Sequence, residues 1–176
     1  MANETMSLIS TVTVGAGGSS NIVFNSLPQI YTDIKILTSS RTDANPFGVA
    51  VSQIALSANG GTPGWDTRAL GGNGSASYTE TGSGQLTQSS VSTSNTFSNG
   101  ELTLCNYSGA TYKFGSIESV IENNATLSWM AIHCIGWPST EPITAISLYP
   151  VSGNFVQYST FSLYGILKGS GGATVS

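Results

Sequence analysis

Charge is what this sequence has least of. Asp, Glu, Lys and Arg make up 8% of its 176 residues, against about 25% in an ordinary soluble domain. The five basic residues, Lys35, Arg41, Arg68, Lys113 and Lys168, are scattered along a chain of net charge −4. No basic patch forms from them, which argues against nucleic acid as a partner. One histidine and two cysteines are too few for a convincing zinc site. No dense Asp/Glu loop is present to take calcium, and no cofactor is expected. No apolar run approaches the ~20 residues that a membrane helix needs; the longest, 129–137, is interrupted by His133. Membrane insertion is not expected. The first five residues lack the basic start of a secretory signal, so synthesis in a cytoplasm is the expectation.

What the chain has instead is Gly, Ser, Thr and Asn, which supply nearly half of it. A surface of hydroxyls and amides orders easily against a neighbour, because Ser and Thr lose far less rotamer entropy than Lys or Glu. Apolar residues, at 39%, fall in short runs rich in β-branched and aromatic side chains, the pattern of strands rather than of disorder. Such runs occupy 7–14, 21–24, 33–39, 49–56, 101–106, 113–121, 128–136, 143–148 and 158–167. The apolar phase slips between Val51 and Ile54, which predicts a β-bulge or a bend near Ser52-Gln53.

Residues 58–100 are the least regular part, punctuated by Asn59-Gly60-Gly61, Pro63-Gly64, Gly71-Gly72-Asn73-Gly74 and Gly82-Ser83-Gly84. One or two short strands are expected there, around 69–70 and 85–91. In 128–136 both alternate sets are apolar, which predicts a central strand covered on both faces by a second sheet or a neighbouring subunit. The block 143–166 carries two apolar runs either side of Ser152-Gly153-Asn154, a reversal that predicts the closing strand pair of the sandwich, with Tyr and Phe side chains as packing and assembly surface.

No stretch shows a helical apolar period, and any helix should be a single turn. Eight or nine closely spaced strands predict an all-β, antiparallel β-sandwich. A jelly roll is the preferred topology, given the strand count and the long mid-chain excursion; an immunoglobulin-like sandwich is the alternative. The sandwich is expected to occupy 1–168 as a single domain, with 169–176 a flexible or partner-docked tail.

The residues capable of chemistry do not assemble into an enzyme. His133 sits mid-strand between apolar neighbours and reads as a buried structural imidazole, and no serine lies in a G-x-S-x-G elbow. The nine acids are dispersed; Glu118 and Glu122 would share a strand face, as solvated or rim residues. The Gly-rich stretches lack the Lys-Ser/Thr of a phosphate loop. Arg41 and Asp43 predict an ion pair at the corner 39–46. Cys105 and Cys134 read as two small buried thiols, and spacing alone does not pair them. Trp65, Tyr78 and Tyr112 are the candidate interface or ligand aromatics, suited to a subunit contact or to stacking on a sugar.

The run Ile22-Val23-Phe24-Asn25-Ser26-Leu27-Pro28-Gln29-Ile30-Tyr31-Thr32-Asp33, with Arg41 eight residues on, reads as an apolar strand followed by a Leu-Pro-x-x-Tyr-x-Asp phrase. Glu122-Asn123-Asn124-Ala125-Thr126, then Phe155-Val156-Gln157-Tyr158-Ser159 and Ser162-Leu163-Tyr164-Gly165-Ile166, follow in order. Together these phrases resemble a group of small virion structural proteins of marine and freshwater tailed phages, head decoration or fibre proteins and tail-associated proteins. The resemblance spans most of the chain, with 44–100 the variable part, and it implies no catalytic residues. It implies a protein of the virion, made in the host bacterial cytoplasm. The expected partners are the major capsid protein or another virion protein, with a host surface glycan as the ligand of a tail-tip role. A stand-alone domain without a shaft suits decoration of a head, and three-fold sites on an icosahedral shell suggest a homotrimer.

Overall fold

Alternation of apolar and polar residues governs the architecture strand by strand. The computed structural model describes residues 5–45, 52–61, 66–81, 84–126 and 128–167; Trp65 and the 169–176 tail lie outside the described residues. Among these, every regular element is a strand: β1 (Met6–Thr13), β2 (Ile22–Phe24), β3 (Asp33–Ser40), β4 (Ser52–Ala58), β5 (Asp66–Gly72), β6 (Ser77–Thr81), β7 (Gln85–Thr87), β8 (Ser98–Cys105), β9 (Lys113–Glu122), β10 (Ser128–Trp137), β11 (Ile146–Pro150) and β12 (Thr160–Ile166). β3 shows the rule, burying Ile34, Ile36, Thr38 and Ser40 while Lys35, Leu37 and Ser39 point away from the core. Turn chemistry separates the strands. Asn73 Oδ1 accepts the N–H groups of Ser75 and Ala76 at 3.0 and 2.9 Å, and Gly74 takes φ +83°, which closes the β5–β6 hairpin.

Two antiparallel sheets result, ordered β1-β12-β3-β8-β9-β10-β5-β6 and β2-β11-β4-β7. With the β5–β6 and β9–β10 hairpins set aside, the other eight strands place β1, β12, β3 and β8 over β2, β11, β4 and β7. This is the jelly-roll arrangement of two interlocked Greek keys, so the preferred topology holds over the immunoglobulin-like one. The two hairpins pair with each other through β5 and β10 and widen the large sheet by four strands. Among the described residues twelve strands replace the expected eight or nine, mainly because 58–100 supplies β5, β6 and β7, two of which are held by a partner distant in sequence.

The core lies between the sheets. Ile34, Ile36, Leu102, Leu104, Phe161 and Leu163 of the large sheet meet Ile22, Phe24, Ile54, Leu56, Ile146 and Leu148 of the small one. On the β7 side the interior changes character. Ser40 Oγ shares hydrogen bonds with Thr87 Oγ1 at 2.7 Å and Ser98 Oγ at 2.9 Å, Gln85 Nε2 donates to Thr38 Oγ1, and Leu86 N donates to Ser119 Oγ at 3.1 Å. These side chains are all buried. They bond to one another or to the backbone, which removes the cost of burying them.

The resemblance phrases meet in space. Tyr31 lies against Gly165, where a Cβ would come within 2.3 Å of its ring. Tyr107 donates its hydroxyl to the Pro28 carbonyl, and burial, with Tyr31 adding to it, pushes that phenol up to about 12.

Four expectations are corrected. The 143–166 block is not a strand pair: β11 lies in the small sheet and β12 in the large one, and the segment between them crosses the end of the sandwich. That crossing is fastened by Phe155, whose backbone bridges Ser19 and Thr42. Of the bulge or bend expected near Ser52-Gln53, the bulge is absent, because β4 keeps an unbroken register with β7 from Ser52↔Thr87 to Ile54↔Gln85. A register shift occurs instead between Leu8 and Ser10 of β1, where a bulge blunts an edge strand. Arg41 and Asp43 do not pair; the Arg41 guanidinium turns to the carbonyls of Ser92, Thr93 and Thr96, and Asp43 Oδ1 accepts the Asn154 N–H at 2.6 Å. The cysteines are not two buried thiols: Cys134 is exposed and Cys105 half-buried, unbridged, because both occupy outward positions of the large sheet.

Candidate functional site

The outer face of the eight-stranded sheet is a surface that no described element covers. Along β10 the inward residues Ala131, His133 and Ile135 are buried, whereas Met130 and Ile132 are 51% and 44% exposed. The doubly apolar strand is central, as its sequence predicts, but the small sheet covers only one of its faces. Among the described residues no element packs on the other.

Register makes a patch of these residues. Ile132 stands opposite Leu70 of β5, and Met130 stands opposite Val120 of β9. Leu70 is 60% and Val120 46% exposed. Two residues apart on one strand, Met130 and Ile132 join the two pairs into one apolar cluster. Beside it the outward positions of β8 and β9 carry Asn99, Thr103 and Ser116, with exposed Phe114 farther along β9. Glu118 is exposed there opposite Glu101, which is bound in turn to Lys35 Nζ at 2.5 Å. A contiguous apolar cluster rimmed by polar residues is the usual form of a protein-binding surface.

The residues considered for chemistry have structural duties. His133 is fully buried, flanked across the strands by Ile117 and Ala69. Burial pushes its pKa down, opposed by the Glu80 carboxylate and by a hydrogen bond with the Ile117 backbone. Its folded pKa therefore lies below the unfolded value of about 6.5. In that interval the unfolded chain binds more protons, so stability is complete above about pH 6.5 and is lost as pH falls toward the folded pKa. Denaturant midpoints measured from pH 7.5 to 5 should fall for the natural chain and fall less for His133→Gln; equal slopes would show that His133 does not set this limb.

Glu122 does not stand in solvent with Glu118. Its carboxylate accepts from Thr93 N, Thr93 Oγ1 and Thr96 Oγ1, each at 2.8 Å. Burial alone would raise its pKa, but these donors and the Asn124 N–H outweigh it and hold the carboxyl below its ordinary range.

Of the three candidate aromatics, Tyr78 and Tyr112 do not converge. Trp65 lies outside the described residues. Tyr78 is half-buried with its ring over Gly71, where a Cβ would meet its Cζ at 2.3 Å; it fastens the β5–β6 hairpin instead of standing out as a contact. Burial, with Glu80 adding to it, pushes its phenol up. Tyr112, 66% exposed, sits before β9 at the opposite end of β5 from Tyr78. The cluster of Leu70, Val120, Met130 and Ile132 was not singled out from the sequence as a contact surface, although the doubly apolar β10 carried the signal. Among the described residues no group of three or more His, Cys, Asp and Glu side chains could hold a metal. No known protein family, curated protein or solved structure matches the chain.

Proposed function

We propose that the chain is a virion structural protein of a tailed bacteriophage that decorates the head. It acts by contact and not by catalysis, docking the outer face of its large sheet onto the major capsid protein or another virion protein. The observation that carries this reading is the apolar cluster of Leu70, Val120, Met130 and Ile132 on the uncovered face of the large sheet, with Asn99, Ser116 and Glu118 beside it. Such a face loses little side-chain entropy on assembly, and the cluster supplies the buried centre that a stable contact needs. The resemblance of its phrases to phage virion proteins supports the same reading. The use of jelly rolls in viral shells does so by analogy of fold alone. A closed trimer at three-fold positions suits a single domain of this kind.

Reconstruction of purified particles tests location and copy number together. Density for the domain is expected on the head at three-fold positions, with the Leu70, Val120, Met130 and Ile132 cluster against the shell. Ile132→Glu, a charge set in the centre of the cluster, is expected to fold and to be missing from particles. Density confined to the tail would replace head decoration with a tail-tip role, which the exposed Tyr112 favours; normal incorporation of the Ile132→Glu chain would remove this face as the contact.

A further inference from the structure

A second surface has a different chemistry. At one end of the large sheet the strand registers place Lys113 opposite Trp137 and Gly136 opposite Asp66. Tyr112 and Pro138, the next residues of their strands' ends, complete a cleft of about 300 Å³ lined by these six residues. Two aromatic rings and a proline form its walls. Gly136 contributes no side chain, and Asp66 brings an exposed carboxylate to the rim, bound to the Arg68 guanidinium.

We propose that this cleft binds a neutral sugar, a pyranose unit of a surface glycan. The size suits a small ligand, since it lies at the lower end of the ~300–1,000 Å³ range of ligand pockets. The C–H face of a pyranose ring packs on Tyr and Trp, whereas its hydroxyls need hydrogen-bonding groups at the ring edge. Asp66, which lines the cleft, supplies carboxylate acceptors there.

The charge arrangement separates a neutral ligand from an anionic one. Lys113 is the cation nearest the cleft floor, but its ammonium is already committed. Nζ donates to the carbonyls of Gly109 at 2.7 Å, Thr111 at 2.6 Å and Ser139 at 3.5 Å, and lies 5.8 Å from the centroid of the Trp137 ring. Burial lowers its pKa, opposed by Glu141. An anion would have to strip those carbonyls from the ammonium and approach the Asp66 carboxylate. A proline-rich peptide, the other ligand that aromatic grooves take, needs a longer track at about 3.1 Å per residue.

Gly136 provides a clean way to fill the site. A Cβ built there meets nothing closer than the Asp66 carbonyl oxygen at 4.0 Å, so this lining position accepts a Cβ without a collision. The experiment is affinity electrophoresis of the purified full chain through gels containing dextran, mannan or galactomannan, with hyaluronate as the anionic comparison. The natural chain is expected to be retarded by at least one neutral polymer and not by hyaluronate. The free monosaccharide of the retarding polymer should restore mobility. Tyr112→Ala, which removes one stacking face, should weaken retention by about ten-fold or more. Gly136→Val should abolish it with the melting temperature unchanged. The proposal is overturned by mobility unaltered in every neutral gel, by retention in hyaluronate alone, or by retention that both variants keep. Decaproline binding that is sensitive to Gly136→Val, without retention by any neutral polymer, would assign the cleft to a peptide and overturn it as well.

Discussion

Replacing Phe161 with alanine is expected to lower stability by about 3–5 kcal/mol, the largest loss of any single truncation proposed for this chain. Phe161 is fully buried at the second position of β12, the strand that the large sheet holds between β1 and β3. Its neighbours there are Val12 and Thr38. Its ring meets Phe155 edge to face, with centroids 4.8 Å apart and planes at 63°, and such a pair adds to the burial of either ring alone. Phe155 rides on the crossover between the sheets, so the truncation empties the core and loosens the strap that joins its two halves. For a domain of this size the melting temperature should fall by roughly 6–20 °C. Leu8→Ala, on an exposed position of β1, is the contrast and should stay within about 0.5 kcal/mol. A Phe161→Ala loss below about 1 kcal/mol, far outside the range for a truncated core Phe, would mean that the crossover does not pack as described.

The strands themselves were legible from local pattern, and their sheet partners were not. Lys35 between Ile34 and Ile36 announces β3 from sequence, and Gly153 announces the turn that takes φ +71° beside Asp43. Whether β11 and β12 pair or face each other depends on which strands lie between them in space, information that no local period contains. The polar seam escaped for a related reason. Ser40, Thr87 and Ser98 resemble surface residues, and only their mutual bonds, made across strands 11 to 58 residues apart, make their burial affordable. The sugar cleft was within reach of the sequence. β9 and β10 form a regular hairpin, so counting outward from the Glu122–Ser128 pair arrives at Lys113 beside Trp137. With Tyr112 already under suspicion, that count places two aromatic residues at one strand end. Asp66 could not be added in the same way, because β5 joins β10 from across the chain.

The two surfaces divide one sheet. The apolar cluster and the cleft lie at different positions along β10, around Ile132 and Gly136, so a chain docked through the first need not cover the second. A module held to a shell by one end of its wide sheet could present the strand-end aromatics outward. The two experiments are therefore independent: Ile132→Glu addresses retention on the particle, and Gly136→Val addresses retention by a polysaccharide.

Arg41→Met is expected to cost about 3 kcal/mol and, unlike the loss at Phe161, to act first on one loop. The Arg41 guanidinium donates to Thr93 O at 2.6 Å, Thr96 O at 3.0 Å and Ser92 O at 3.1 Å, gathering three carbonyls that methionine cannot bond. Burial lowers the Arg41 pKa, with Glu122 opposing that effect; a guanidinium stays charged in proteins regardless. Bonds from a charged donor contribute about 1.5–3 kcal/mol each in favourable cases, and leaving buried acceptors unpaired adds its own cost. The losses do not sum, because part of the loop can turn its carbonyls to water. Glu122 continues to hold Thr93 and Thr96 from the other side, so the loop should loosen without the sandwich opening. Hydrogen exchange separates these outcomes: protection should fall at Ser92 N and Thr96 N, which bond within the loop, and persist at Ile36 and Leu102 in the core. Uniform loss of protection across both regions would show that Arg41 supports the whole fold. No change at the loop would show that Glu122 alone holds it.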